Sequence, residues 1–376
     1  MRMRVVQLNL HPAPAGVTPA ELFLRWPTLA DIPEAVAAGG PRVSVLQAAD
    51  YDTRLVRHGI DYRFVDLREY TSPRARGRHV ASLLRGHMPD VLHIHSLACA
   101  EEAYAIAQLL PSLPIVLQDH ADRAPSWWRR PVWRRWMRSV DAVAFTAPAL
   151  AHRFEAAGLF PPTLRVFAIP ESSSRFTPGP AEPARASTGV TGSPAVVWVG
   201  HLNENKDPVT MLEGFAALAE VLPDARLYCV FGSAPLGDAV KTRIASDDRL
   251  RDRVHLLGRV PHAQVETLMR AADLFVSGSR AESCGFALLE AMACGLTPVV
   301  TDIPSFRELT GNGAVGRLYP VGDAARCGAA LISAARKRAP RELVREHFQA
   351  RLAFPALGRR WAAAYAELHT ARRRRA

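Results

Sequence analysis

Residues 274–301 read LFVSGSRAESCGFALLEAMACGLTPVVT, and this stretch decides the fold. It opens with an apolar run that predicts a strand over Leu274–Ser277, and the apolar stretch Phe286–Cys294 then predicts a buried helix. Gly295 follows as a glycine just past the helix end, and Pro298–Thr301 predicts a second strand. Strand, helix and strand joined by short loops indicate a βαβ unit of a parallel sheet.

The same alternation of short β-like runs and helical stretches extends along the whole chain, interrupted by a Pro-, Ser- and Gly-rich stretch at residues 170–194. We therefore predict an α/β protein with two Rossmann-like, doubly wound domains that face a cleft. The predicted parts are an N-terminal domain at 1–172, a linker at 173–193, a C-terminal domain at 194–340, and terminal helices at 341–376. These terminal helices are expected to cross back to the first domain, and the last of them has an apolar stripe. The stripe consists of Phe354, Leu357, Trp361, Tyr365 and Leu368.

The chain of 376 residues carries 47 Lys and Arg against 36 Asp and Glu, a formal net charge of +11. The excess lies in two segments, Arg123–Arg138 and Arg336–Arg375, and not in the chain as a whole. No apolar run approaches the ~20 residues that a membrane-spanning helix needs, and the N-terminus lacks the pattern of a signal peptide. The five cysteines form no CxxC pair, which favours reduced thiols. We expect a cytoplasmic protein, with a peripheral position on the inner face of the membrane as the alternative.

Two carboxylates flank the start of the predicted helix. Glu282 lies in the loop before it and Glu290 lies along it, while Gly285 lets a ligand approach the backbone closely. A helix N-terminus presents unpaired N–H groups and a partial positive charge, which together favour a phosphate. The pattern indicates a phosphate site with a hydroxyl-binding glutamate on either side. Two solvated glutamates beside a core helix are the structural alternative.

A second segment, VVWVGHLNENK at residues 196–206, predicts a strand that ends at Gly200 and a loop that carries His201 and Lys206. Two cations at the mouth of a parallel sheet suit a diphosphate. The chain has only three lysines. A lysine at this mouth therefore favours a binding role over that of a solvated charge.

The chain resembles the family 4 glycosyltransferases of the GT-B architecture. The resemblance rests on ESCGFALLEAMACG from Glu282 onward, on Gly200, His201 and Lys206 where the family has Gly, Arg and Lys, and on PDVLHIHS at residues 89–96. It implies a transferase that moves a sugar from a nucleotide-diphosphate donor to an acceptor with retention of anomeric configuration. It also implies that the second domain holds the donor, that the first holds the acceptor, and that no metal or other cofactor is needed because protein cations neutralise the leaving group.

Carried over by position, the resemblance implies a role for each of several residues. His120 and Glu282 are assigned to the reacting centre, and Gly16 and His95 to the acceptor side. The donor would be bound by Gly200, His201, Lys206, Cys284, Gly285, Phe286, Ala287 and Glu290. Within this set Glu290 would bind the ribose and Lys206 the diphosphate.

His201 departs from the arginine of the family, and it exchanges a permanent cation for one that titrates near neutral pH. If the imidazolium does the work of the arginine, activity is expected to rise on acidification. Cys284 also departs from the family, which often has an aromatic residue before the glycine.

Three other functions remain open at the level of the sequence. The first is a GT-B-like sugar-nucleotide epimerase, which shares the fold and the donor. The second is a metal site, suggested by His93-Ile94-His95 together with Asp119, His120 and Asp122, for which a buried or capping histidine pair is the structural alternative.

The third is a basic membrane- or nucleic-acid-binding protein with a degenerate donor site. The segment Trp127–Arg138, WWRRPVWRRWMR, alternates tryptophan and arginine. We expect its tryptophans to pack in the core and its arginines either to lie on the surface or to face an anionic lipid or a lipid-linked acceptor. No recognised nucleic-acid-binding module is present, so we expect no nucleic-acid partner.

Overall fold

The structure, a computed structural model, describes residues 2–374. Fourteen strands lie within these residues: β1 Arg4–Asn9, β2 Arg42–Ala49, β3 Thr53–Arg57, β4 Ile60–Asp66, β5 Val91–His95, β6 Ile115–Gln118, β7 Ala142–Phe145, β8 Arg165–Ala168, β9 Ala195–Gly200, β10 Arg226–Phe231, β11 Val254–Gly258, β12 Leu274–Ser277, β13 Thr297–Thr301 and β14 Arg317–Tyr319.

The α-helices in the same residues are α1 Pro19–Arg25, α2 Thr28–Ala38, α3 Pro73–His87, α4 Ala100–Leu109, α5 Arg130–Met137, α6 His152–Glu155, α7 Ala181–Thr188, α8 Pro208–Val221, α9 Gly237–Ala245, α10 His262–Ala271, α11 Phe286–Ala293, α12 Pro304–Thr310, α13 Ala324–Arg336, α14 Arg341–Arg351 and α15 Phe354–Arg373. In the part of the chain described, no helix is both long enough and apolar enough to cross a bilayer.

The chain divides into two compact units. Unit 1 comprises the residues up to Ser172 and those from Phe354 onward, and unit 2 comprises Ser173–Ala353. Each unit contains one mainly parallel sheet, which confirms the prediction of an α/β chain with two doubly wound domains.

The sheet of unit 1 has the order β3-β4-β2-β1-β5-β6-β7-β8. Every neighbouring pair is parallel except β3 and β4, which form an antiparallel edge. The strand order reverses between β1 and β5. Ligands of open parallel sheets bind outside the carboxyl ends of the strands at such a reversal.

The sheet of unit 2 has the order β11-β10-β9-β12-β13-β14 and is parallel throughout. Numbered within the unit, this is the order 3-2-1-4-5-6 of dinucleotide-binding sheets. Its reversal lies between β9 and β12. The two motifs singled out in the sequence follow these two strands.

The terminal helix α15 packs within unit 1, against α2. Leu357, Trp361 and Tyr365 of the predicted stripe are fully buried. A Cβ added to Gly358 would stand 2.0 Å from the carbonyl oxygen of Ala35 in α2, so only glycine allows the two helices to approach this closely.

The structure departs from the predicted boundaries in two places. The stretch predicted as a linker contains α7, where Arg185 bonds the carbonyl of Ala271 and forms an ion pair with Asp273. Of the terminal helices expected to cross back, α14 stays in unit 2 beside α11, and only α15 lies in unit 1. Residues 375–376, part of the predicted basic tail, lie outside the described residues.

Candidate functional site

In unit 2 the loops after β9 and β12 are joined to each other. The backbone N–H of Arg280 donates to the carbonyl of Asn205 at 2.7 Å, and the amide of Asn205 donates to the carbonyl of Ala281 at 3.0 Å. A Cβ on Gly278 would stand 2.8 Å from the carbonyl oxygen of Asp207, so the two backbones touch at this point. The structure therefore brings together the two motifs that lie about 80 residues apart in the sequence.

Each loop contributes charged side chains to this contact. The ammonium of Lys206 forms a salt bridge with the carboxylate of Glu282, and both side chains are mostly buried. Arg280 donates from Nη2 to Asp207 Oδ2 at 2.7 Å, and this aspartate also caps the N-terminus of α8. Lys206 is therefore positioned at the reversal of the sheet, but it is already paired with a carboxylate.

The N-cap residue of α11 is Gly285, whose φ of +77° falls in the left-handed region. A Cβ there would also stand 2.6 Å from the ring of Phe306, so glycine is required both by conformation and by space. No side chain caps this helix start, which leaves the backbone N–H groups of Phe286 and Ala287 directed away from the helix. Cys284 is fully buried, so a ligand would meet its backbone and not its thiol.

Glu290 lies one turn into α11 and has a partner that the sequence did not suggest. Its Oε1 lies 2.7 Å from Nε2 of His262, the first residue of α10. The hydrogen bond to Glu290 and the carboxylate charge together raise the pKa of His262 above its ordinary value, although partial burial opposes them. The side chain of Glu290 is 16% exposed and that of His262 is 73% exposed, so the pair lies at the surface of the unit.

His201 follows β9 as predicted, but its geometry does not suit an imidazolium. Its Nδ1 accepts a hydrogen bond of 3.2 Å from the backbone N–H of Ser233. A protonated ring has no free acceptor nitrogen, so this contact describes a neutral imidazole with its proton on Nε2. The geometry therefore argues against the expectation that His201 supplies the missing cationic charge.

Arg259, which follows β11, lies beside His201. A Cβ on Gly232 would stand 3.2 Å from Cε1 of His201 and 3.8 Å from Nη2 of Arg259. Arg259 is exposed and has no carboxylate partner among the residues described. Lys206 and Arg280, at the same edge of the sheet, are each paired with a carboxylate.

In unit 1 a cavity of about 550 Å³ lies where the strand order reverses. Its lining is mixed: it includes the apolar side chains Trp26, Leu29 and Ile32 and the polar side chains His95 and His120. The remaining lining residues are Gln7, Asn9, Leu10, His11, Pro12, Thr28, Pro33, Val45, Arg76, Ser96, Ala98, Cys99, Glu102 and Glu171. The size and the mixed lining are those of a small-molecule site.

Asp122 joins the loops that carry the two histidines. It accepts hydrogen bonds from the hydroxyl of Ser96 at 2.6 Å and from the backbone N–H groups of Leu97 at 2.8 Å and His120 at 3.1 Å. Ser96 has a φ of +87° and Ala121 a φ of +62°, both costly for residues with a Cβ. Such strain persists only where the surroundings hold it, and here Asp122 does so.

The structure brings three ionisable side chains together in this cavity. His120 Nε2 lies 3.0 Å from His95 Nδ1, and His120 Nδ1 forms a salt bridge with Glu171. Gly16, the other acceptor-side residue of the prediction, does not line the cavity, and its N–H donates to Asp50 at 3.2 Å. Glu171 lies at the edge of the stretch predicted as a linker, and nothing in the local sequence distinguishes it from a surface residue.

The paired histidines of β5 have separate roles. His93 is fully buried, and its Nδ1 lies 2.8 Å from the hydroxyl of Tyr365 in α15. Burial lowers its pKa to about 3. In the described residues, no three His, Cys, Asp or Glu side chains are grouped so that they could hold a metal ion.

The tryptophans of residues 127–138 fall into two pairs. Trp133 and Trp136 of α5 are buried in the core of unit 1 as expected. Trp127 and Trp128 precede α5 on a 3₁₀ turn and are 77% and 65% exposed, which contradicts the expectation that all four pack inside.

Comparison with known proteins relates the chain, and unit 2 above all, to glycosyltransferases. Residues 181–351 match the family described as glycosyl transferases group 1. The GDP-mannose:cellobiosyl-diphosphopolyprenol alpha-mannosyltransferase of Xanthomonas oryzae is 25% identical over 236 residues, which are 60% of this chain and 60% of that protein. The phosphatidyl-myo-inositol mannosyltransferase of Mycobacterium leprae is 32% identical over 149 residues, 39% of this chain and 38% of that protein. The chain thus spans less than two thirds of the length of either relative.

Solved structures match nearly the whole chain at low sequence identity. Sucrose-phosphate synthase from Thermosynechococcus elongatus superposes with a TM-score of 0.70 at 19% identity, covering 98% of this chain and 100% of that one. A glycosyltransferase from Rickettsia africae superposes with a TM-score of 0.72 at 14% identity, covering 98% of each chain. At this identity the likeness concerns the fold, and the chain has the two parallel-sheet domains of GT-B structures.

Proposed function

We propose that the protein is a glycosyltransferase that moves a sugar from a nucleotide-diphosphate donor to an acceptor hydroxyl with retention of anomeric configuration. The observation that carries the proposal is the junction of the loops after β9 and β12 in unit 2. It combines Lys206, Glu282 and an uncapped helix start at the reversal of the sheet. The match of residues 181–351 to a glycosyl transferase family supports it.

The donor would bind to unit 2 through groups of matching charge. The backbone N–H groups of Phe286 and Ala287 and the side chain of Lys206 would bind the diphosphate, with Arg259 as a further cation. Glu290, held by His262, would accept hydrogen bonds from the ribose, and Glu282 from the transferred sugar. These cations would stabilise the charge that develops on the departing phosphate, so we propose that no metal is required.

The acceptor would bind to unit 1 in the cavity lined by His95 and His120. The names of two relatives specify lipid acceptors, a diphosphopolyprenol and a phosphatidylinositol, and we propose a lipid-linked acceptor for this chain. Both relatives are transferases, which gives the epimerase alternative no support.

The test begins with donor binding. A thermal-shift screen of nucleotide sugars and free nucleoside diphosphates should identify a donor, because a ligand bound to the native state raises its apparent stability. With that donor, nucleoside diphosphate should be released only when an acceptor is supplied, and NMR of the product should show the anomeric configuration of the donor. Epimerised donor without an acceptor, or an inverted product, would contradict the proposal.

A membrane surface is the second partner that we propose. Trp127 and Trp128 are exposed, and so are Arg123, Arg129 and Arg138 of the same basic segment. The guanidinium of Arg129 lies over the ring of Trp128 at 5.9 Å. Tryptophan favours the membrane interface, and arginine favours anionic headgroups. The protein should co-sediment with vesicles that contain phosphatidylglycerol and not with phosphatidylcholine vesicles.

Replacing both tryptophans by serine should abolish this binding. Leu24→Ser is a matched control, since Leu24 is 81% exposed but lies outside this segment. Equal binding by the double variant and the wild type would exclude the segment as the anchor.

A further inference from the structure

A continuous line of hydrogen bonds connects Glu171 to the wall of the unit 1 cavity. The carboxylate of Glu171 contacts Nδ1 of His120, and Nε2 of His120 lies 3.0 Å from Nδ1 of His95. The line uses both ring nitrogens of His120 but only one of His95. Nε2 of His95 is the nitrogen left for a molecule in the cavity.

The positions of the protons along this line follow from its geometry. An ionised carboxylate only accepts, so His120 must carry its proton on Nδ1. When His120 is neutral, its Nε2 is an acceptor, and His95 must then donate from Nδ1. A neutral His95 that donates from Nδ1 has a lone pair on Nε2, which is a basic atom at the cavity wall.

Neighbouring rings hold His95 in this orientation. Its ring stacks on that of His93 with centroids 4.5 Å apart, and His93 in turn packs on Trp361 of α15 at 4.3 Å. His93 is itself held by Tyr365. Rotation of His95 away from His120 would disturb this stack.

The charges around the line favour a proton on His120 over one on His95. Burial, His93 and His120 lower the pKa of His95 well below its ordinary value. Burial also acts to lower the pKa of His120, but the hydrogen bond and charge of Glu171 outweigh it, with help from Asp122 and Asp119, and the pKa is raised.

Other charged groups also lie near the line. Asp119 contacts Arg153 at 3.4 Å, but burial and the charge of Asp122 raise its pKa to about 6. Asp122 itself accepts hydrogen bonds from the Ser96 hydroxyl and from backbone N–H groups, and Glu102 is bonded to Arg76. The carboxylate of Glu171 is the one that contacts a ring nitrogen of the line directly.

We propose that Glu171, His120 and His95 form a proton relay, in which Nε2 of His95 takes the proton from the acceptor hydroxyl. The O–H bond of the acceptor breaks and an N–H bond forms at His95 Nε2, while the Nδ1 proton of His95 passes to Nε2 of His120. The acceptor oxygen uses the freed electron pair to bond the anomeric carbon, and the bond from that carbon to the diphosphate breaks, so that the diphosphate leaves with its electron pair. The positive charge comes to rest on His120 beside the ionised Glu171. His95 is then the catalytic base, and Glu171 is a positioning residue. This inference rests on the proposed function, since it supplies the base for that transfer.

The relay predicts a direction for the pH dependence. Protonation of His120 puts a proton on its Nε2, so His95 must accept at Nδ1 and keep its own proton on Nε2. The base is then lost, and activity should fall on acidification through the pKa of His120. Glu171→Gln removes the carboxylate charge and lowers that pKa, so the acid limb should move to lower pH. The plateau rate should also fall about 10-fold or more, because the imidazolium loses its partner.

Two further variants test whether His95 is the base and whether the shift of the acid limb is specific to Glu171. His95→Gln should lower the rate about 100-fold at all pH values, since it removes the base itself. Glu102→Gln is the matched control, because Glu102 lines the same cavity but is bonded to Arg76. This control should leave the acid limb at the position of the wild type.

A second readout does not depend on turnover. In protein with isotope-labelled histidine, NMR titration should show a lower pKa for His120 in Glu171→Gln than in the wild type or in Glu102→Gln. An unmoved acid limb or an unmoved His120 titration in Glu171→Gln would overturn the relay. A wild type that transfers no sugar from any donor would instead refute the proposed function.

Discussion

The two candidate sites are built in opposite ways. The site of unit 2 comes from two short segments, residues 200–207 and 278–290, each of which carries a recognisable motif. The site of unit 1 comes from single residues on separate loops, His95, His120 and Glu171, and its support reaches as far as Tyr365. Binding mainly through backbone N–H groups needs a continuous loop and helix start. A relay of side chains needs only single residues whose side chains lie within hydrogen-bond distance of one another.

The sites also differ in how their charges are held before a ligand binds. In unit 2 the cation Lys206 is neutralised by Glu282, a residue that the donor sugar would also need. In unit 1 the carboxylate of Glu171 contacts a histidine that can change its own charge. If unit 2 binds the donor as proposed, binding would exchange this ion pair, whereas the proposed relay of unit 1 would need only a shift of protons.

Lys206→Ala gives the largest expected effect on the unit 2 side of this comparison. Removal of one group that stabilises a developing charge costs about 10²–10³ in rate, so transfer should fall at least 100-fold. The measurement is kcat with the identified donor. Lys241→Ala is the control, because Lys241 is an exposed helix residue whose nearest carboxylate contact is Asp238 at 4.0 Å. Turnover within a few-fold of wild type would remove Lys206 from the site.

Gly285→Ala tests whether the helix start of unit 2 depends on its backbone. The left-handed φ costs about 1–2 kcal/mol for a residue with a Cβ, and the contact with Phe306 adds to this. We expect a lower unfolding temperature and weaker binding of the nucleoside diphosphate.

Gly189→Ala separates the effect of the left-handed φ from that of the contact with Phe306. Gly189 has a φ of +71°, but a Cβ there would meet nothing within 4 Å. Equal losses of stability in the two variants would show that the contact with Phe306 contributes nothing.

Glu282→Gln sharpens the contrast in how the two sites hold charge. It releases Lys206 from its salt bridge, so free nucleoside diphosphate should bind a few-fold more tightly, as expected for a partly exposed ion pair. Transfer should become slower, since the sugar loses a hydrogen-bond acceptor. Calorimetry of diphosphate binding, set beside kcat, measures both effects, and weaker binding would contradict this account of the pair.

His201→Gln gives the smallest expected effect. Glutamine can accept the N–H of Ser233 as the neutral ring does, so diphosphate affinity and its pH dependence should change little. A loss of affinity confined to low pH in the variant would restore the imidazolium as the substitute for arginine.

Local sequence predicted the strands and helices beside the unit 2 site, but the predictions for this unit missed α7, α12 and β14. The strand at Leu274–Ser277 was predicted with the bounds observed for β12, and the helix after it was extended by one residue, to Cys294. The predictions for unit 1 missed α1, α2 and β3. α2 contains Pro33 and follows Pro27, and prolines read locally as breaks in a helix. Contacts with α15 stabilise α2, and no local pattern reports them.

The sequence by itself determined the α/β class, the two mainly parallel sheets and the loop motifs after β9 and β12, because hydrophobic periodicity and loop motifs act over a few residues. Only the tertiary structure decided that Lys206 is paired with Glu282, that His201 accepts a hydrogen bond as a neutral ring, and that Trp127 and Trp128 lie at the surface. It also decided that Glu171, at the end of unit 1, meets His120. The charge state and exposure of a side chain depend on neighbours that are distant in the chain, and those neighbours are set by packing.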